Sequence, residues 1–363
     1  MLTQEEKNLM VLKQVPFVSV SQNKIADSLK GEISDNDLYL TLSSLVAEQK
    51  IQMVMGPKGP EYSRKWNSQI DEERKALTKE LNKRFDEKTI FYPRYEGYVA
   101  NVEDNFFNGN YHELLAAFGE LNSEYVKWHR NSKSGVVYPP KMQALNSSSI
   151  VSCNLLQGMD LDPNQVEYAV EFEVIAAEAM KDRPEEISAP KVQFDAIVNY
   201  EDSVEFVQTN FLEHFYQPFR QSMWAYQYGS RYLFEDEKAI ELWRAFVKKS
   251  NYVFFDGNAA IKTMIAIYSD ILANPEDYKG KNVRVLNVNW NMNPNSTYTA
   301  LASFQEEYLK EGKKSEEELN ELLALLPLPE GTKLEYQFLT LEEVASNLPE
   351  DAKNYIEKRY LNF

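Results

Sequence analysis

The spacing of apolar positions along this chain shifts between a helical period and a two-residue alternation, and each shift predicts an element boundary. Residues 5–14 predict a helix, Ser21 opens a second that reaches residue 30, and Ser34 opens a third, to residue 48, with apolar positions 38, 42, 45 and 46. Residues 51–55 then read as a strand, 56–60 as a Gly/Pro turn and 61–65 as the returning strand. Residues 71–88 are charged but carry Leu77, Leu81 and Phe85 at four-residue steps, which predicts a connecting helix with one buried stripe.

The second half alternates differently. A helix is expected over 111–122 and another, lined with small and apolar residues, over 140–156. Three strand-like runs follow, at 167–174, 192–200 and 204–210, separated by polar loops, as in an antiparallel meander. Helices over 240–251 and 259–273, a half-buried strand over 282–290, a strand over 334–339 and a final helix from Leu341 complete the pattern. The alternation implies an α/β (mixed α+β) fold. It divides into residues 1–66, a 67–100 connecting helix and linker, and a main domain over 101–363.

The order of three helices and a hairpin over 1–66 resembles a winged helix-turn-helix domain. In that arrangement the third helix lies in a major groove and the basic tip at Lys58, with Arg64 and Lys65, meets phosphate. Asp35, Asp37 and Glu48 on the same helix would repel a duplex, so docking to a protein or capping the main domain stands beside DNA binding.

Composition narrows the chemistry. Of 363 residues, 43% are hydrophobic and 13% aromatic, enough for sizeable cores. No run approaches the roughly 20 apolar residues of a membrane span, and the opening Met-Leu-Thr-Gln-Glu-Glu-Lys lacks a signal pattern. A soluble, cytoplasmic protein with no membrane partner is expected. The single Cys153 excludes an intrachain disulfide and a cysteine zinc cluster, and His112, His129 and His214 are too few for a histidine-rich metal site. A site for a hard cation, built on carboxylates, stays open. The net charge of -17 argues against a broad nucleic-acid surface, although Lys58, Arg64, Lys65, Arg74 and Lys75 form a local basic run. No Gly-x-x-x-x-Gly-Lys, Gly-x-Gly-x-x-Gly, Gly-x-Ser-x-Gly or His-Glu-x-x-His motif is present.

The chemistry-bearing stretch lies in the meander. Its second strand presents one acid, Asp195, in an apolar run, and its third presents Gln208 and Asn210 two residues apart on one face. A buried Asp needs a cation, a hydrogen-bond donor or an exposed strand end. Gln208 and Asn210 also suit an ordinary solvent-facing strand.

Over residues 110–300 the chain resembles the PD-(D/E)XK superfamily of restriction-endonuclease-like proteins. It is most similar to uncharacterised bacterial members in which a Ser-Ser-x-x-x-x-Asn-Leu helix, here Ser148 to Leu155, precedes the metal-site strands. Phe211-Leu212-Glu213-His214-Phe215-Tyr216 is likewise similar to the phrase that follows those strands in relatives. The resemblance implies a restriction-endonuclease-like core, a central mixed sheet flanked by helices. It also implies magnesium as cofactor, DNA as substrate and a homodimer able to cut two strands. Asp195 takes the place of the metal-binding Asp, Gln208 that of the Glu in Glu-x-Lys, and Asn210 that of its Lys. Gln offers a neutral carbonyl oxygen and Asn no positive charge, so the implied site is degenerate. Three readings follow. One is a DNA-associated protein whose cleavage is weak or lost. Another is an active endonuclease that restores its metal set with Glu213 or Glu173 and relocates its Lys, for instance to Lys262. The third is a non-catalytic scaffold for protein partners. Glu213 beside His214 also reads as a catalytic pair, or as structure. The aromatics Phe215, Tyr216, Phe219, Trp224, Tyr226 and Tyr228 suit core packing or base stacking.

Overall fold

The computed structural model describes residues 2–15, 20–48, 50–56, 59–64, 68–95, 97–131, 135–173, 191–211, 257–293 and 295–363, with residues 237, 240–242 and 245 besides. Helices Gln4–Gln14, Gln22–Ser28 and Asp35–Ala47 begin where the sequence places polar caps. Thr3 and Glu6 close a capping box, and the Ser21 and Ser34 hydroxyls accept the Lys24 and Asp37 amides. Strands β1 (Val20–Ser21), β2 (Ile51–Gly56) and β3 (Gly59–Arg64) form an antiparallel sheet in the order β1-β3-β2. Sequence reasoning missed β1, a two-residue strand too short to show a period. Val11, Ile25, Leu38, Leu42, Leu45, Ile51 and Tyr62 share one small core.

Helix Ser68–Lys83 sends Leu77 and Leu81 into the main core, as their four-residue spacing predicts. After it come helix His112–Leu121 and the short pair β4 (His129–Arg130) and β5 (Val137–Tyr138). The expected 140–156 helix is shorter. Residues Lys141–Gln143 form a 3₁₀ turn, and the α-helix runs Ser148–Gly158. The physical reason lies in the backbone partners of 142–145. The Gln143 carbonyl takes the Val99 amide, Leu145 donates to the Gly97 carbonyl, and Asn105 Nδ2 holds the carbonyls of Met142 and Ala144. A continuous helix would need those groups for itself.

The main sheet has five strands: β6 (Val166–Glu173), β7 (Lys191–Asn199), β8 (Ser203–Asn210), β9 (Asn282–Asn289) and β10 (Lys333–Thr340), in the order β10-β9-β8-β7-β6. The first three form the expected antiparallel meander, while β8, β9 and β10 run parallel. Parallel neighbours require long crossovers. The chain from β8 to β9 includes helices Gly257–Ala273 and Pro275–Tyr278, and helix Thr299–Leu323 joins β9 to β10. The final helix is two, Leu341–Ala345 and Glu350–Tyr360, with Pro349 as the cap between them. The fold is mixed α/β around a mixed sheet. Among the described residues no helix is long and apolar enough to cross a membrane.

Candidate functional site

The centre of the meander departs from regular pleating. The Phe194 ring packs on Phe206 at 5.1 Å, and Phe206 is the register partner of Ile197. Phe194 and Ile197 therefore share a face although they are three residues apart, whereas a regular strand sends such residues to opposite sides. The alternation inverts once, within residues 195–196. Directly across on β6, Ala169 carries φ 54°, flanked by the pairs Tyr168↔Ala196 and Val170↔Phe194. A non-glycine residue in the left-handed region costs about 1–2 kcal/mol, so the distortion is held by the surrounding packing.

This kink sets the environment of Asp195. The β7–β8 ladder runs from Asn199↔Val204 to Ala196↔Val207. Beyond it, side chains bridge the two strands. The Thr209 amide donates to Asp195 Oδ2 at 2.8 Å, and Gln208 Nε2 donates to the Gln193 carbonyl at 2.9 Å. Asp195 is buried, 9% exposed, and the backbone amide meets part of its need for a donor. Helix Ser148–Gly158 lies against β7 and β8, with the Ser148 hydroxyl accepting the Phe211 amide at 2.9 Å. Burial pushes the thiol of Cys153, on that helix, well above its ordinary range, and the Asp195 charge adds to the shift. Cys153 is thus a neutral packing residue.

Asn210 faces a different set of partners. The parallel register places Gln208 beside Asn287 and Asn210 beside Asn289. Asn210 Nδ2 donates to Asn287 Oδ1 at 3.0 Å and to Asn289 Oδ1 at 3.3 Å. Asn289 Nδ2 donates to Asn287 Oδ1 at 2.7 Å, and the Tyr308 hydroxyl donates to Asn289 Oδ1 at 2.8 Å. Asn289 and Tyr308 are buried, so this is an interior network of neutral amides in which each hydrogen bond supports the next. Sequence reasoning missed Asn287, Asn289 and Tyr308. The signal present was a second polar pair at i and i+2, the spacing of Gln208 and Asn210, after the apolar residues Val285 and Leu286.

The remaining candidates divide. Glu173 ends β6 opposite Lys191, and its side chain lies outside the described residues. The same holds for the side chains of Arg64, which ends β3, and Lys262, in helix Gly257–Ala273. Lys58, Lys65, Glu213, His214 and the aromatics from Phe215 to Tyr228 fall outside the described residues altogether. His112 begins its helix beside the Tyr111 ring, and His129 sits in β4 opposite Tyr138. Glu205, on β8 but not among those candidates, forms an ion pair with its register partner Arg284 at 2.6 Å. Burial raises its carboxyl above the usual range, and the guanidinium only partly offsets that.

Among the described residues no group of three or more His, Cys, Asp or Glu side chains is placed to hold a metal ion. Asp195 is the carboxylate that the described residues bring to this site, with Gln208 and Asn210 as neutral amides on the next strand, a poor match for a hard cation that takes several oxygen ligands, usually including more than one carboxylate. Comparison with protein-family models, with curated proteins and with solved structures finds no match.

Proposed function

We propose that this chain is a DNA-associated protein on a restriction-endonuclease-like scaffold, with a winged-helix-like unit at residues 1–66, in which ordinary metal-dependent cleavage is weak or lost. The element order supports the scaffold: helix Ser148–Gly158, the meander β6-β7-β8, helix Gly257–Ala273 and the parallel strand β9. The observation that carries the loss of cleavage is the engagement of the two substituted positions. Gln208 donates to the Gln193 carbonyl and Asn210 to Asn287 and Asn289, where a cutting site needs a carboxylate for the metal and an ammonium near the attacking water. Neutral amides committed to the sheet supply neither. Among the described residues, one buried carboxylate beside neutral amides does not fit magnesium.

Incubation of the full chain with duplex, single-stranded and modified DNA in magnesium or manganese tests this reading. The expected result is no strand scission above that of Asp195→Ala. Scission that Asp195→Ala abolishes would instead favour the rearranged site, with Glu213 or Glu173 completing the metal set and Lys262 supplying the ammonium.

A further inference from the structure

Away from the sheet, two segments distant in sequence build an aromatic surface. Tyr92, Tyr95 and Tyr98 follow the connecting helix, and Trp128 and Tyr138 come from β4, β5 and their approach. The Trp128 ring meets Tyr92 at 5.4 Å and Tyr95 at 5.5 Å, both edge to face, and Tyr95 also meets Tyr98 and Tyr138. Two T-shaped contacts fix the plane of the indole. They do not cover it: Trp128 remains 48% exposed, and Val126, two residues before it, and Val136 and Val137, where the paired strand begins, are exposed as well. An apolar patch of this kind marks a surface that meets a partner.

The charges around the rings narrow the partner. Arg94 lies between Tyr92 and Tyr95, and Lys127 and Arg130 flank Trp128 and His129. All three are exposed, and none makes an ion pair with another described residue. Glu124, an acid close by in the chain, is held by Lys141 at 2.7 Å. In a chain of net charge -17, three uncommitted cations in the two runs that carry the rings, set against Glu124, which Lys141 holds, and Glu96, which lies outside the described residues, are a local departure from the overall sign. A proline-rich peptide would use the rings and leave the cations without a role. A duplex would use the cations and keep its bases stacked inside. A single strand uses both, since unpaired bases stack on aromatic faces while phosphates meet Lys and Arg.

We infer that this surface is a stacking platform for single-stranded nucleic acid, with Trp128 taking a base and Arg94, Lys127 and Arg130 meeting the phosphates. The inference deepens the DNA-associated reading and rests on it for the class of partner alone, not for the state of the Asp195 site.

Fluorescence anisotropy of a dye-labelled oligothymidylate of about 15 nucleotides titrated with the full chain tests it. Binding at low salt is expected, weakening as salt rises, with preference over the matching duplex. Trp128→Ala is expected to weaken it about tenfold, Trp128→Phe to retain most of it, and Arg94→Glu with Arg130→Glu to weaken it and flatten its salt dependence. Because these side chains are exposed, circular dichroism of each variant should match the parent. Oligonucleotide binding unchanged in Trp128→Ala and in the double charge variant, or a preference for duplex, overturns the platform and leaves the DNA-associated reading standing. Absence of binding to any nucleic acid overturns both. Trp128-dependent capture of a proline-rich peptide, without oligonucleotide binding, also overturns the platform and gives the surface to a peptide.

Discussion

Glu205 shows how burial and pairing compete at a single residue. Arg284 at 2.6 Å favours the carboxylate, yet removal from water wins and its carboxyl titrates above the usual range. A folded-state value raised above the unfolded one makes a stabilising contribution that is complete below the ordinary carboxylate range, near 4.3. That contribution is lost as pH rises through the raised value. Urea midpoints measured from about pH 4 upward are therefore expected to fall more steeply for the parent than for Glu205→Gln. Parallel curves would contradict the assignment. At this scale the sequence was partly legible. Asp195, Gln208 and Asn210 stand out in apolar strands, but their partners do not. Thr209 reaches Asp195 as a backbone amide, to which any residue type but proline would be equally suited, and Asn287 and Asn289 lie some 77 to 79 positions from Asn210. The inversion at Asp195 is also hidden, because Ala169 gives no sign of the left-handed conformation it adopts.

Among the elements, the meander was readable because β6, β7 and β8 are apolar runs of strand length with polar loops between them. Helix Thr299–Leu323, the longest described, was not. Its buried side includes Gln305, Gly312 and Ser315, which break the apolar stripe that marks a packed helix. Gln305 is there to hold the Trp290 carbonyl, and Gly312 because the Phe338 ring occupies the space a Cβ would fill. Gly312→Ala should gain about 1 kcal/mol of helix propensity and lose about 1–3 kcal/mol to overpacking against a fully buried ring. The expected outcome is a lower urea midpoint with an unchanged slope. A raised midpoint would show that Phe338 yields easily. The 140–147 segment failed for the opposite reason: its small and apolar residues satisfy a helical pattern, while its carbonyls are claimed by Asn105 and Val99.

For the molecule as a whole, the N-terminal unit has a core of its own, and the main core draws on the connecting helix, both sets of crossover helices and the C-terminal helix. The mixed α/β class followed from periodicity, whereas the mixed sheet was an expectation of the resemblance, because the parallel pairing of β8, β9 and β10 leaves no mark in the period. The aromatic surface around Trp128 did not, since only folding brings residues 92–98 to 128–138. Net charge gave no hint of it either, because a sum of -17 conceals three exposed cations in the two runs that carry the rings. The central claim is that the site at Asp195, Gln208 and Asn210 no longer performs metal chemistry. Titration calorimetry of the full chain with manganese, alongside Asp195→Ala, tests that claim most directly. The expected result is no saturable heat in either protein. Saturable binding in the parent that vanishes in Asp195→Ala would contradict it.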